Sequence, residues 1–288
     1  MVLLLPLLTV LAQVGPFTPV GASRAPNVPH IEGRDAPRRK GVPAPAALPP
    51  ALPSQPQSCA KALEISPSEA IGLAETALAS AKDGAEQAAA QGCLGLAHGR
   101  LAEWGEAESA FLAARDAVGD DRAARASFGA MAGNAALAGG QPDRAMASLT
   151  TAQADADAAA DKAASGAIAI DRARALVALR RVAEARAAID QAITQTPGDS
   201  DAWLLSATLY RRSGQLNLAQ QHIEKAAAIN SLDPAIGLEA GVVAQLSGRE
   251  AAARKSWQSV IATAPDSPEA AQARNYVAQI GPNPPSTL

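Results

Sequence analysis

The sequence predicts an all-α fold, a superhelical solenoid of antiparallel helix pairs, preceded by a signal-like segment and a proline-rich linker. Three observations carry this reading. Alanine supplies about a quarter of the 288 residues and aromatics only 3 %. That composition favours helices and disfavours a sandwich or barrel, which needs β-branched and aromatic side chains. A helical pattern recurs every 34 residues through the C-terminal half, and a fixed period of this size is the mark of a stacked repeat array. Residues 23–58 hold nine of the 21 prolines and show no helical periodicity. The hydrophobic share of 48 % against 18 % charged excludes a wholly disordered chain, and 25 Lys+Arg against 28 Asp+Glu excludes a basic surface that coats nucleic acid.

Taken in order, residues 1–14 are an uncharged apolar run. The run is shorter than the roughly 20 residues of a membrane span and has the length of a signal-peptide core. Val20-Gly21-Ala22 ahead of Ser23 offers a small-x-small cleavage site, but no Lys or Arg precedes the apolar stretch. Residues 1–22 are therefore read as a signal peptide or an N-terminal anchor. Residues 23–58 follow as a disordered linker, since proline lacks the backbone donor and restrains its predecessor. Arg34, Arg38, Arg39 and Lys40 form a short basic run there, either solvated or touching anionic lipid or polymer.

From residue 59 onward the period governs. Pro197 and Pro265 stand two periods apart, and blocks opening at Gly166, Ser200 and Pro234 run without a gap to Ser267. In the Ser200 block, Trp203, Ala207, Tyr210, Gly214, Ala219, Ile223 and Ala226 occupy positions 4, 8, 11, 15, 20, 24 and 27. This order of bulky and small residues resembles the tetratricopeptide repeat (TPR), a helix-turn-helix unit. On the same ruler, position 8 is Ala173 and Gly241, position 20 is Ala185 and Ala253, and position 24 is Ile189 and Trp257. After small insertions the phase continues upstream. Ala126 opens a block with Gly133, Gly140, Ala145, Leu149 and Ala152, and Ala88 opens one with Gly95, Ala107, Phe111 and Ala114. The expected organisation is a TPR array over residues 59–280: a leading partial unit 59–87, repeats 88–121, 126–159, 166–199, 200–233 and 234–267, and a final helix 268–280, with a disordered tail 281–288.

Small residues at positions 8 and 20 let the two helices of a unit approach, and the side chain at 24 fills the remaining groove. Position 7, usually Leu in the family, is Leu94 in one block but Ala132, Arg172, Ser206 and Ala240 in the others. At about 1.5–3 kcal/mol per buried large side chain, those changes predict a thinner core. Helix starts are signalled by Ser66-Pro67-Ser68-Glu69, a capping box, and by Asp233-Pro234 and Ser267-Pro268; Gly214 and Gly248 are placed to end helices in the left-handed region.

The sequence has no P-loop, H-E-x-x-H, G-x-S-x-G or C-x-x-C motif. His30, His98 and His222 are far apart, and His98, at position 11, reads as a packing residue. Asp155, Asp157 and Asp161 lack the glycine and closing glutamate of a calcium loop and read as a solvated face of a continuous helix. No catalytic site, cofactor or metal is expected. Cys59 and Cys93 are one period apart, which permits a disulfide between neighbouring first helices or leaves two buried thiols.

The resemblance implies a concave groove lined by the first helix of each unit, where the family holds a protein or peptide segment. Its exposed positions correspond here to Asn134, Arg174, Asp201, Thr208, Arg211, Arg212 and Gln245. Arg174 and Arg211 are suited to charge-assisted bonds with a carboxylate. The Lys and Asn set of a chaperone-type carboxylate clamp is not found. The expected function is a non-catalytic scaffold or adaptor for protein–protein interaction in the bacterial cell envelope, periplasmic or secreted. No nucleic acid is expected, and membrane contact runs only through the N-terminal segment if it is uncleaved. The alternative is a membrane-tethered envelope structural or assembly factor that contacts lipid or peptidoglycan.

Overall fold

The computed structural model describes residues 57–280. The signal-like segment, the linker through residue 56 and the tail 281–288 lie outside the described residues. Within them the chain forms α1 (Gln57–Ile65), α2 (Pro67–Ser80), α3 (Gly84–Arg100), α4 (Trp104–Ala117), α5 (Arg122–Ala138), α6 (Pro142–Ala158), α7 (Lys162–Ala178), α8 (Val182–Gln195), α9 (Ser200–Arg212), α10 (Leu216–Ile229), α11 (Pro234–Leu246), α12 (Glu250–Thr263) and α13 (Pro268–Gln279). No strand occurs among the described residues. Each helix packs on the next, and the odd-numbered helices from α5 to α13 also touch one another. The fold is an all-α solenoid of helix pairs with a first-helix face. The first two residues of α1 fall inside the stretch read as linker.

The first helices α3, α5, α7, α9, α11 and α13 open at residues 84, 122, 162, 200, 234 and 268, at intervals of 38, 40, 38, 34 and 34. The longer intervals include an added turn. α3, α5 and α7 have 17 residues each, whereas α9 and α11 have 13. These three helices therefore start four residues ahead of Ala88, Ala126 and Gly166.

A polar seam closes the added turns. Asp155, near the end of α6 and 3 % exposed, accepts from Arg115 Nη2 at 2.7 Å and Arg122 Nη1 at 2.6 Å, with Arg125 Nε 3.4 Å away. Burial alone raises its pKa, but the arginines outweigh this and hold the carboxylate below its ordinary range. Beside it, Ser165 Oγ donates to Asp157 Oδ1 at 2.8 Å, and Gln153 Nε2 donates to Ser165 Oγ at 2.7 Å. The solvated-face reading is thus corrected for Asp155, which is buried, while Asp157 is exposed as expected, and the continuous helix expected through Asp161 is corrected as well. The helix breaks at Ala159 and Ala160, so Asp161 caps α7 by accepting from Ala164 N at 3.0 Å. The longer helices bring their ends close enough to bury Asp155.

The core is a row of small clusters in which the positions of the repeat meet as expected. A Cβ on Gly95 would lie 2.5 Å from Phe111 Cε1, and one on Gly133 would lie 2.5 Å from Leu149 Cγ. Ala173 packs in one cluster with Ile189, and Ala207 in another with Ile223. At the turns, Gly140, Gly214 and Gly248 adopt positive φ, and the next residue's N–H reaches back to the last helical turn, as in Gln215 N to Tyr210 O at 2.9 Å. Asp233 accepts from Ala235 N at 2.8 Å and Ser267 Oγ from Ala270 N at 3.0 Å. Ser66 differs from the capping-box expectation. It stands at the N-cap of α2 with Pro67 at the first turn, but its side chain makes no cap bond. Its own N–H already closes α1 on Ala62 O at 2.8 Å, leaving Glu69 no backbone donor to capture. At the N-terminal end Cys59 of α1 and Cys93 of α3 form a disulfide, with Cα atoms 6.0 Å apart, in a cluster with Leu63, Ala70, Ala74 and Ala97.

Candidate functional site

The first-helix face carries a ladder of polar side chains. Asp171 and Arg174 lie three residues apart on α7, a spacing that puts both on one helical side. Arg174 Nη1 donates to Asp171 Oδ1 at 2.8 Å, and its Nη2 reaches Asp201 Oδ2 of α9 at 3.4 Å. From the other side, Asn134 Nδ2 of α5 donates to Asp171 Oδ2 at 2.8 Å. One continuous network therefore links Asn134, Asp171, Arg174 and Asp201 across three first helices. Farther along, Arg211 Nε of α9 donates to Glu239 Oε1 of α11 at 2.6 Å.

The other expected groove residues are less connected. Thr208 turns its hydroxyl to Leu204 O at 3.1 Å, Arg212 is exposed at the end of α9, and Gln245 is half-buried with Oε1 lacking a partner among the described residues. The structure thus joins Asn134, Arg174 and Asp201, places Arg211 in a second pair, and leaves Thr208, Arg212 and Gln245 outside both.

Two acids central to this arrangement, Asp171 and Glu239, are absent from the residues read off the sequence. Both occupy position 6 of their blocks, and the Asp171–Arg174 spacing is the local signal that could have found one of them. Their presence changes what the arginines do: Arg174 and Arg211 are occupied by internal acids that hold their forks in place. A ligand carboxylate would have to exchange with those partners. Burial raises the pKa of Asp171, with Arg174 and Asn134 opposing that effect. Burial also raises Asp199 and Asp233, the caps of α9 and α11 beside this face.

The histidines are engaged separately. His98 Nδ1 lies 2.6 Å from Glu103 Oε2. His222 sits edge-on between Trp203 and Tyr210, at ring separations of 5.1 and 4.9 Å, and burial lowers its pKa. His30 lies outside the described residues. Among those described, no group of three His, Cys, Asp or Glu side chains is arranged to hold a metal, and no helix is long and apolar enough to cross a membrane.

A family model described as tetratricopeptide repeat matches residues 166–209, which cover most of α7, all of α8 and most of α9. No curated protein sequence matches the chain. Solved structures share the fold at low identity. BtubC from P. vanneervenii is 15 % identical with a TM-score of 0.59, covering 81 % of this chain and 97 % of its own. PilW, described as a widely conserved type IV pilus biogenesis factor, is 18 % identical with a TM-score of 0.58, covering 76 % and 99 %. TTC0263, a thermophilic TPR protein of Thermus thermophilus, is 18 % identical with a TM-score of 0.52, covering 65 % and 94 %. The family match places a tetratricopeptide repeat at residues 166–209, and the same helix pair stacks along the described residues in the fold of the tetratricopeptide-repeat solenoids.

Proposed function

We propose that this protein is a non-catalytic scaffold that holds a segment of a partner protein on its first-helix face, in the bacterial cell envelope. The observation that carries the binding surface is the ladder from Asn134 through Asp171 and Arg174 to Asp201. Guanidinium and amide groups held by internal partners pay less ordering entropy when a ligand arrives. The first helices run side by side, so an extended segment crossing them meets α5, α7, α9 and α11 in turn. Asn134 is exposed, and Arg174 and Asp201 are half-buried, which leaves them reachable.

The envelope assignment rests on the sequence of residues 1–22 and on the proline-rich spacer behind them. It also accords with the fold of PilW, a pilus biogenesis factor by its description. Periplasmic or secreted protein would begin near Ser23, and a tethered form would retain residue 1, so N-terminal sequencing of the protein from cell envelopes separates the two. Affinity capture with the full chain and with an Arg174→Ala/Arg211→Ala double variant tests the surface. Loss of specific partners from the double variant is expected, and unchanged capture would contradict the groove assignment.

A further inference from the structure

The first-helix face does not account for Arg172. It stands two positions before Arg174, which is about 200° around a helix, so α7 presents one guanidinium to each side. On the far side lies a cleft of about 630 Å³ between α6 and α8, floored by α7 and lined by Met146, Thr150, Arg172, Leu176, Arg181 and Gln191 among others. Arg181 is held by Glu184 through bonds of 2.7 and 2.6 Å. Arg172 has no hydrogen-bond or ion-pair partner among the described residues, and its Nε is buried.

The preceding cleft holds an internally paired arginine, there on the second helix α6. Between α4 and α6, a cleft of about 440 Å³ contains the buried Glu108, which accepts from Arg144 Nε at 3.1 Å. Glu108 is the fifth residue of α4. The fifth residue of α6 is Met146. In the Arg172 cleft Met146 stands at that fifth position, the third residue of α8 is Glu184 where α6 has Arg144, and the α5 counterpart of Arg172 is Ala132, so Arg172 is a cation that the preceding unit does not carry and for which Met146 supplies no acid.

We propose that this cleft binds a carboxylate carried on a short aliphatic group. The ligand supplies the oxygens that Arg172 lacks, and its apolar part lies on Met146, Leu176 and Ala188. A planar guanidinium is matched by a carboxylate in a two-bond fork, and a half-buried cation is costly until it is paired. Met146, with the buried Leu176 and Ala188 behind it, favours an aliphatic acid over a bare inorganic anion. That chemistry comes from a free aliphatic acid or from the last residue of a peptide. The site is independent of the first-helix ladder and stands or falls without it.

Calorimetric titration of the full chain tests this with three probes: octanoate, an N-acetylated tetrapeptide ending in leucine with a free carboxylate, and the same peptide as its C-terminal amide. At least one acid is expected to bind and the amide is not, and the acid that binds identifies the source. Arg172→Leu, which places at this position the residue that Leu94 supplies in an earlier unit, should weaken binding about ten- to hundredfold, the loss of a charge-assisted pair. Met146→Glu should weaken it similarly by supplying an internal carboxylate while keeping the arginine, so it reports on the site even if Arg172→Leu unfolds. Failure of both acids to bind, equal binding of the amide, or undiminished binding in a variant that melts like the wild type overturns the proposal.

Discussion

Gly241 lies directly against the indole of Trp257: a Cβ built on the glycine would overlap Nε1, and that same Nε1 donates to Leu238 O at 3.1 Å. The ring therefore has no room to move away without losing its bond. Glycine meets a large residue in the Gly95–Phe111 and Gly133–Leu149 pairs as well, whereas Ala173 and Ala207 have isoleucine at the matching position, Ile189 and Ile223. The two aromatic side chains, Phe111 and Trp257, are thus each met by glycine, and the isoleucines by alanine. Gly241→Ala should destabilise by about 1–3 kcal/mol through overpacking. Adding Trp257→Ile to that variant should cost less than Trp257→Ile alone, because it recreates the alanine–isoleucine pair. Urea unfolding of the two single variants and the double variant measures this coupling, and strict additivity would refute the pairing.

Three turns are closed by residues other than glycine in the left-handed region: Ala102 at φ 59, Ala160 at φ 54 and Arg180 at φ 61. Gly214 fills the equivalent role at φ 76 without a Cβ penalty. Replacing Ala102, Ala160 or Arg180 by glycine should stabilise by up to about 1 kcal/mol each, the Cβ strain exceeding the entropy that glycine adds to the unfolded chain. Gly214→Ala should destabilise by a similar amount. Thermal melts of the four single variants should show opposite signs for the two classes.

Asp155 gathers Arg115, Arg122 and Arg125 at the ends of three helices. Asp155→Ala should destabilise by about 1–3 kcal/mol, since it removes charge-assisted bonds to a buried carboxylate and leaves the half-buried Arg115 and Arg125 without that partner. Its folded pKa lies below the ordinary 3.8. The linked stability is therefore present above pH 3.8 and is lost as pH falls through the lower folded value. Chemical denaturation between pH 5 and pH 2 should show a shallower acid loss in the variant than in the wild type.

His222 titrates with the same sign in a different window. Burial between Trp203 and Tyr210 lowers its folded pKa below 6.5, only partly opposed by Asp190. The unfolded chain then takes up the proton first, so stability is full above pH 6.5 and declines as pH falls through the folded value. His222→Phe should flatten that decline, and equal slopes for variant and wild type between pH 7 and pH 5 would contradict the assignment.

The regular half of the fold was open to reading because its constraints repeat. The crossing of two helices demands a small residue at the same two positions, so Ala185, Ala219 and Ala253 recur in step. The added turns of α5 and α7 were not legible, because an alanine-rich stretch continues a helix in either direction and Ala160 gives no sign of its left-handed conformation. Asp155 was misread for a related reason. Its alanine neighbours suggest an exposed helix, while its burial depends on arginines 30 to 40 positions earlier. At the first-helix face, the arginines stood out by charge. That Asp171 and Glu239 already hold them depends on how neighbouring units stack, which a single repeat does not encode.

Site-specific photo-crosslinking on the full chain in its native cells tests the central claim most directly. A crosslinking residue replaces Asn134 on the first-helix face in one protein and Lys225, exposed on α10, in another. The scaffold reading predicts a discrete protein adduct from position 134 that disappears in the Arg174→Ala/Arg211→Ala background and does not form from position 225. The same adducts from both positions, or an adduct at 134 indifferent to the two arginines, would contradict it.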